Sequence, residues 1–305
     1  MRIKTEEIGR QVNVVSIGVS GRELTVSDLS AIIEKETPEG SDIVAVSELC
    51  LGFQIHPMDG EAVAEMCRLA AKKEVYIVFT IYRYGDTEDE VYNSSLLIDR
   101  KGKIVGIYDK AFPMWNEEYQ DPPCIPGKDV PVFETDFGKI GMAICFDANY
   151  PEVFKRLSDL GAELVIWPSA FSGGMCMQTH AINHNYYIVT STGAPDCTLY
   201  DISGQEVFCQ TSIGIHVSKL SIDLDRSIFH VDMNIKKRDM LLQEHPDEVE
   251  MDLYLPKEGW FTLRAKKPGV SVKKLAAAYG IEELTPYKKR KGAEIDALRG
   301  GSVPG

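Results

Sequence analysis

The chain has 305 residues, with 33 Lys and Arg against 46 Asp and Glu, a formal net charge of −13. That length suits one large domain or two of ordinary size, and it buries enough surface to fold without disulfide or metal staples. No apolar run approaches the roughly 18 residues of a membrane span, the first seven residues lack the apolar core of a secretion signal, and the acidic total argues against a nucleic-acid-binding body. Seven cysteines, at 50, 67, 124, 145, 176, 197 and 209, are scattered and odd in number, which reads as reduced thiols in a cytoplasmic protein.

In chain order, Val12–Val19 reads as a buried strand, Leu24–Lys35 as a helix and Ile43–Val46 as a second strand. Glu61–Lys73 has apolar residues at helical spacing among strong helix formers. Val75–Tyr82 is β-rich, and Leu96–Ile98 and Ile104–Tyr108 flank Asp99-Arg100-Lys101-Gly102, a hairpin turn. A similar order then recurs: a strand at Glu163–Trp167, a helix at Cys176–Asn185, a strand at Tyr186–Ser191, and Leu199-Tyr200-Asp201-Ile202-Ser203-Gly204 echoing Leu97–Gly102. The spacing between matched positions drifts, so the pattern is two pseudo-equivalent β-α-β-β halves, or chance likeness of generic units, and not a strict repeat. If the halves are equivalent, Glu48 and Ser169 occupy matching strand ends on one cleft.

From Leu263 to Gly305 there are ten Lys/Arg and four Asp/Glu, an excess of six positive charges that leaves −19 on the rest. Leu-Pro-Lys-Glu-Gly at 255–259 interrupts the pattern, so the expected division is a body at 1–262 and a basic, partly helical extension at 263–305. Within the extension Ser271 is placed to cap a helix and Gly280 to end it. The Leu275–Ile281 run faintly resembles the start of a helix-turn-helix, but no recognition helix is evident. The expected role is packing on the acidic body or on a neighbouring subunit.

Three segments depart from what packing asks for. Ile43–Leu49 ends an apolar strand in Glu48, and a buried carboxylate needs a partner. Tyr108-Asp109-Lys110 ends a hairpin strand in an ammonium. Gly138–Asp147 is a strand ending in Cys145, after which Tyr150-Pro151-Glu152 opens a helix. A cysteine at such a turn exposes its sulfur and has backbone N–H groups beside it, the arrangement a nucleophile needs. Each signal alone has a bland explanation: a solvated carboxylate, a surface lysine, an inert core thiol.

Together, Ser47-Glu48, Tyr108-Asp109-Lys110 and Ala143-Ile144-Cys145-Phe146-Asp147 with Tyr150-Pro151-Glu152 resemble the three signature blocks of the nitrilase (carbon–nitrogen hydrolase) superfamily, in order and rough spacing, over about residues 12–235. The resemblance implies a mixed α/β fold, a four-layer α-β-β-α sandwich. It also implies a Glu48-Lys110-Cys145 triad that hydrolyses an amide, ureido compound or nitrile through a thioester, with no cofactor. Many relatives carry a second glutamate eight residues after the lysine. Glu118 matches that place, ahead of Glu117. Members usually assemble as dimers or larger homo-oligomers. A catalytically silent scaffold is the alternative.

The departures bear on substrate. Phe112 stands where many relatives have His, and Ala148-Asn149 where carbamoylases carry arginines that grip a carboxylate. His180–His184 replaces a familiar Arg-Ala-x-Glu-Asn block, and the pair His180 and His184 reads as structural and not as a metal site. Phe112, Trp115, Phe146, Trp167, Ser169 and Phe171 are the expected pocket residues, with Tyr186 and Tyr187 nearby. This mostly aromatic set points to neutral amides with a hydrophobic or modest acyl chain.

Overall fold

The computed structural model of the protein describes residues 7–301. The first half of the chain runs β1 (Gln11–Val19), α1 (Val26–Glu36), β2 (Ile43–Val46), α2 (Glu61–Lys73), β3 (Tyr76–Tyr84), β4 (Val91–Ile98) and β5 (Ile104–Asp109). β1 and β2 are apolar runs and not alternating ones because both faces are covered. Thr25 begins α1 with a reciprocal capping box to Asp28. The expected hairpin turn forms: Asp99 Oδ1 accepts from the N–H groups of Lys101 and Lys103, both at 2.9 Å. Gly102 in that turn has a positive φ, and a Cβ there would lie 2.5 Å from the Cys67 carbonyl oxygen.

A one-turn helix α3 (Trp115–Glu118) precedes the second half. There follow β6 (Val132–Glu134), β7 (Lys139–Met142), a 3₁₀ turn (Cys145–Asn149), α4 (Pro151–Asp159), β8 (Leu164–Ser169), α5 (Met175–His184), β9 (Tyr187–Thr192), β10 (Asp196–Tyr200), β11 (Glu206–Thr211) and β12 (Ile215–Asp223). One sheet has the order β12-β1-β2-β3-β4-β5 and the other β11-β10-β9-β8-β7-β6. In the first sheet β1, β2 and β3 pair parallel and β3, β4 and β5 antiparallel. In the second, β7, β8 and β9 pair parallel and β9, β10 and β11 antiparallel. The two halves therefore have the same topology. Ile43 pairs with Tyr76 as Leu164 pairs with Tyr187, which makes Glu48 and Ser169 equivalent.

Helices α1 and α2 cover one sheet, with Leu29, Ile33, Met66 and Leu69 against Ile17, Val46, Ile77 and Phe79. Helices α4 and α5 cover the other, with Phe154, Leu157 and Met177 against Val165, Trp167 and Ile188. The inner faces meet directly: Ser16 Oγ donates to the Thr190 carbonyl at 2.8 Å and lies 2.8 Å from Ser191 Oγ. This is the expected four-layer α-β-β-α arrangement.

The chain divides into two compact units at Ile222/Asp223, ahead of the expected 262/263 boundary, and residues 7–11 belong to the second unit. The second unit contains β13 (Ser227–His230), α6 (Ile235–Glu244), β14 (Val249–Leu255), β15 (Trp260–Ala265), α7 (Val272–Ala278) and α8 (Leu284–Arg299). Its sheet has the order β13-β15-β14, around a core that includes Phe229, Leu241, Phe261, Leu263 and Ala276. The Pro-Lys-Glu-Gly break is the β14–β15 hairpin turn, with Leu255 opposite Trp260. The expected boundary failed because charge bias marks surface composition, whereas Phe261 and Leu263, on either side of it, share one core. Ser271 caps α7 as expected, its side chain accepting from the Lys274 N–H.

Arg100, on the β4–β5 turn, ties the two sheets together. It donates to Asp42 Oδ1 at 2.7 Å ahead of β2, to Asp136 Oδ2 at 2.8 Å between β6 and β7, and to the Glu74 carbonyl at 2.6 Å. Asp42 is buried and Arg100 largely so. Removing the cation strands the Asp42 carboxylate in the core. Arg100→Ala should therefore lower the unfolding free energy by about 3 kcal/mol, measured by urea titration; a loss below about 1 kcal/mol would mean that solvent replaces the guanidinium freely.

Candidate active site

Each block ends an element at one end of the sandwich. Glu48 follows β2, Lys110 follows β5, and Cys145 opens the 3₁₀ turn after β7. The structure brings all three together. Lys110 Nζ lies 3.0 Å from Glu48 Oε1 and 2.7 Å from Glu117 Oε2. Glu48 Oε2 accepts the Ala170 N–H at 3.0 Å, one residue past the equivalent strand end of the other half. The charge of the Glu48 carboxylate also acts on the Cys145 thiol. Cys145 is 5% exposed, Lys110 2% and Glu48 9%.

Burying these groups in so dry a place requires mutual compensation. Asn93 supplies part of it, its Nδ2 donating to Glu48 Oε1 at 2.9 Å and to Glu117 Oε1 at 2.7 Å. Tyr82 donates to Glu117 Oε1 at 3.0 Å, and the Met114 N–H donates to Glu117 Oε2 at 2.7 Å. Burial works against the Lys110 ammonium, but the charges of Glu48 and Glu117 outweigh it and raise its pKa. Burial likewise pushes Glu117 up, and the Lys110 charge with its N–H donors overcomes this and holds it below the usual carboxylate range. The Cys145 thiol is pushed up to about 12, first by burial and then by the Glu48 charge, with Lys110 and Ala170 opposing. The resting sulfur is therefore a thiol beside a base.

The backbone at Cys145 is strained. Cys145 has φ +45°, in the left-handed region that costs a non-glycine residue energy. Trp167 Nε1 donates to the Cys145 carbonyl at 3.2 Å, and His180 Nε2 lies 2.8 Å from the Ala148 carbonyl. A carbonyl only accepts, so Nε2 carries the hydrogen. The His180 ring stacks on Phe154 at 3.7 Å, and burial lowers its pKa. His180 thus braces the turn from behind.

Several expectations need correction. Glu117 and not Glu118 meets Lys110, because the single turn of α3 rotates position 117 inward and leaves Glu118 exposed. Trp167 is completely buried, with its indole spent on the Cys145 carbonyl, so it does not line the pocket. Ser169 is also buried, its Oγ accepting the Phe171 N–H at 3.0 Å. Tyr186 and Tyr187 are core residues. Phe112 and Phe146 are half-buried, and both meet Tyr150: Phe112 stacks on it at 3.6 Å and Phe146 meets it edge-on at 5.7 Å. Phe171 remains accessible and packs edge-on against Trp167 at 5.2 Å, while Trp115 is 68% exposed on α3. Sequence reasoning missed Asn93 and Tyr82 as site residues. The polar run Asn93-Ser94-Ser95 inside a β-rich hairpin was the available signal for the first.

Two like halves that bring a thiol, a carboxylate and an ammonium to one end of a sandwich define the nitrilase class of fold. Residues 14–213 match the family model described as carbon-nitrogen hydrolase, and the chain belongs to that family. Among curated relatives it is 27% identical over 176 residues to the deaminated glutathione amidase of Rattus norvegicus, covering 50% of this chain and 53% of the relative. It is 28% identical over 188 residues to the N-carbamoylputrescine amidase of Arabidopsis thaliana, covering 55% and 62% respectively. The chain thus spans between about half and three fifths of these relatives' length. Among solved structures, Nit3 of Saccharomyces cerevisiae superposes with a TM-score of 0.62 at 20% identity, covering 71% of this chain and 91% of that one. An amidase of Nesterenkonia superposes with a TM-score of 0.61 at 15% identity, covering 70% and 92%. At these identities the likeness concerns the fold.

The raised Cys145 pKa has a spectroscopic consequence. Absorbance near 240 nm, taken as wild type minus Cys145→Ala, should show no thiolate step between about pH 6 and 9. A step near pH 7 would mean that the resting enzyme holds a thiolate paired with Lys110.

Proposed function

We propose that the protein hydrolyses the carbon–nitrogen bond of a small neutral amide, with Cys145 as nucleophile, Glu48 as general base and Lys110 as stabiliser of the developing oxyanion. The observation that supports this reading is that one carboxylate, Glu48, is ion-paired with the Lys110 ammonium while its charge acts on the Cys145 thiol, all three nearly buried. Glu48 takes the thiol proton as sulfur attacks the carbonyl carbon. The carbonyl oxygen gains negative charge beside Lys110 Nζ and the Phe146 N–H. Glu48 returns the proton to the nitrogen, the carbon–nitrogen bond breaks, and ammonia or an amine leaves a thioester on Cys145. Water, deprotonated by Glu48, attacks that thioester, and the thiol is restored as the acid departs. Glu117 stays ionised throughout as counter-ion to Lys110, which frees Glu48 to accept a proton. No step calls for a cofactor.

The wall beside the nucleophile supports a neutral acyl group. The two residues after Asp147 are Ala148, which is buried, and Asn149, whose amide donates to the Phe146 carbonyl at 3.2 Å. Arg83, an alternative clamp for a carboxylate, is committed: its guanidinium holds Asp109 at 2.8 and 2.9 Å and Ser94 at 2.9 Å. Phe112, Phe146 and Tyr150 leave an aromatic surface instead. All seven cysteines are free thiols, in keeping with a cytoplasmic enzyme. Exposed Ile295 and Leu298 on α8 are in keeping with a homo-oligomer, which a monomeric mass by light scattering at micromolar concentration would exclude.

Cys145→Ala should abolish hydrolysis and Glu48→Gln nearly so, with the fold intact by circular dichroism. Lys110→Met should lose about 2.7–4 kcal/mol of transition-state stabilisation if it acts as an oxyanion donor. Ammonia release across neutral amides, ureido acids and nitriles should favour the neutral amides. A tenfold preference for a ureido acid, about 1.4 kcal/mol, would contradict the reading of the pocket wall.

A further inference from the structure

Lys110 and Cys145 stand on different sheets, and no strand pairing sets the distance between them. Asp147 bridges that gap. It lies in the 3₁₀ turn opened by Cys145, and its carboxylate accepts three hydrogen bonds. Oδ2 receives the Tyr108 hydroxyl at 2.7 Å and the Ile144 N–H at 2.8 Å, and Oδ1 receives the Phe112 N–H at 2.9 Å. Tyr108 and Phe112 flank Lys110 two residues away on either side, and Ile144 immediately precedes Cys145. The Tyr108 oxygen in turn accepts the Ala111 N–H at 3.3 Å. One carboxylate thus grips the backbone beside the nucleophile and both sides of the ammonium-bearing residue.

The grip is costly. Asp147 is completely inaccessible, and no Lys or Arg forms an ion pair with it among the described residues. Burial pushes its pKa up to about 6, against the opposing pull of Tyr108, the Ile144 N–H, Lys110 and the Phe112 N–H. An apolar side chain would avoid this cost but leave the Ile144 and Phe112 N–H groups unpaired. The stack of Phe112 on Tyr150 joins the same two segments without direction, so it cannot set a distance as hydrogen bonds do.

We propose that Asp147, acting through Tyr108 and the Phe112 N–H, is a positioning residue that fixes the Lys110 loop against the Cys145 turn and so sets the reach of the ammonium to the oxyanion. This rests on the catalytic reading above. A misplacement of about 1 Å in such a site costs on the order of a hundredfold in rate.

The test compares Tyr108→Phe, Asp147→Asn and Arg100→Ala with wild type, the last as a destabilised control remote from the site. Tyr108→Phe keeps the ring and removes one bond of the three. Asp147→Asn turns one acceptor into a donor aimed at donors. On the amide hydrolysed best, kcat should fall roughly tenfold for Tyr108→Phe and on the order of a hundredfold for Asp147→Asn. KM should stay within about threefold, and Arg100→Ala should keep wild-type kcat below its melting temperature. A folded Tyr108→Phe with kcat within twofold of wild type overturns the proposal. So does a kcat loss that follows melting temperature along one line through all three variants. A second readout needs no turnover: the rate at which acrylamide adds to Cys145, followed by mass spectrometry. Tyr108→Phe should slow it at least threefold, towards the Glu48→Gln rate, and an unchanged rate overturns the proposal. If wild type hydrolyses no amide, the proposed function fails while this second readout still decides the role of Asp147.

Discussion

A single buried ammonium organises this molecule. Lys110 is almost inaccessible, and an unpaired ammonium in such a place would lose its proton or its place. Two carboxylates, Glu48 and Glu117, approach it within 3.0 Å, and they arrive from different elements: Glu48 from the end of β2, Glu117 from the turn of α3. The requirement to compensate one charge therefore fixes the ends of β2 and β5 and the fold-back of α3 at once. Asn93 and Tyr82 close the cluster by filling the remaining acceptor sites on the two carboxylates.

The charge arithmetic has a chemical consequence. One cation between two carboxylates leaves a surplus negative charge, so one carboxylate can take a proton while the other still balances the lysine. Glu117, held by four donors, is suited to the balancing task. Glu48 has three donors, one of them the Ala170 N–H, and is the proton acceptor of the proposed mechanism. Dryness makes the arrangement expensive at rest and strengthens each electrostatic contact during reaction.

The sandwich supplies rigidity where the cluster needs it. The pseudo-equivalent halves put matching strand ends face to face, and the contact between Glu48 and the Ala170 N–H joins them. Trp167 and His180 are spent on the strained turn opened by Cys145, bonding the carbonyls of Cys145 and Ala148 from the layer behind. Large aromatic side chains that resemble pocket walls in the sequence are here structural props. At the other end of the sandwich Arg100 holds the two sheets in register through Asp42 and Asp136.

Local signals in the chain determined a good deal by themselves. Strand and helix periods, the turn at Asp99–Gly102 and the N-cap of α7 act over a few residues, so most of those elements were legible within a residue or two, though β4 begins five residues ahead of the strand read at Leu96–Ile98. Each of Glu48, Lys110 and Cys145 has a bland explanation alone, and the three blocks were legible only together, through their order, spacing and resemblance to the nitrilase superfamily. Tertiary structure decided the rest. Whether Glu117 or Glu118 faces the lysine depends on the rotation of one helical turn, which one-dimensional spacing does not resolve. Whether Trp167 faces a pocket or the nucleophile backbone depends on the opposite layer. Asn93 and Tyr82 enter the site only because β3 and β4 pair beside β2 and α3 folds back onto them. The division of the chain at Ile222/Asp223 is set by which apolar side chains share a core, and the charge pattern carries no information about that.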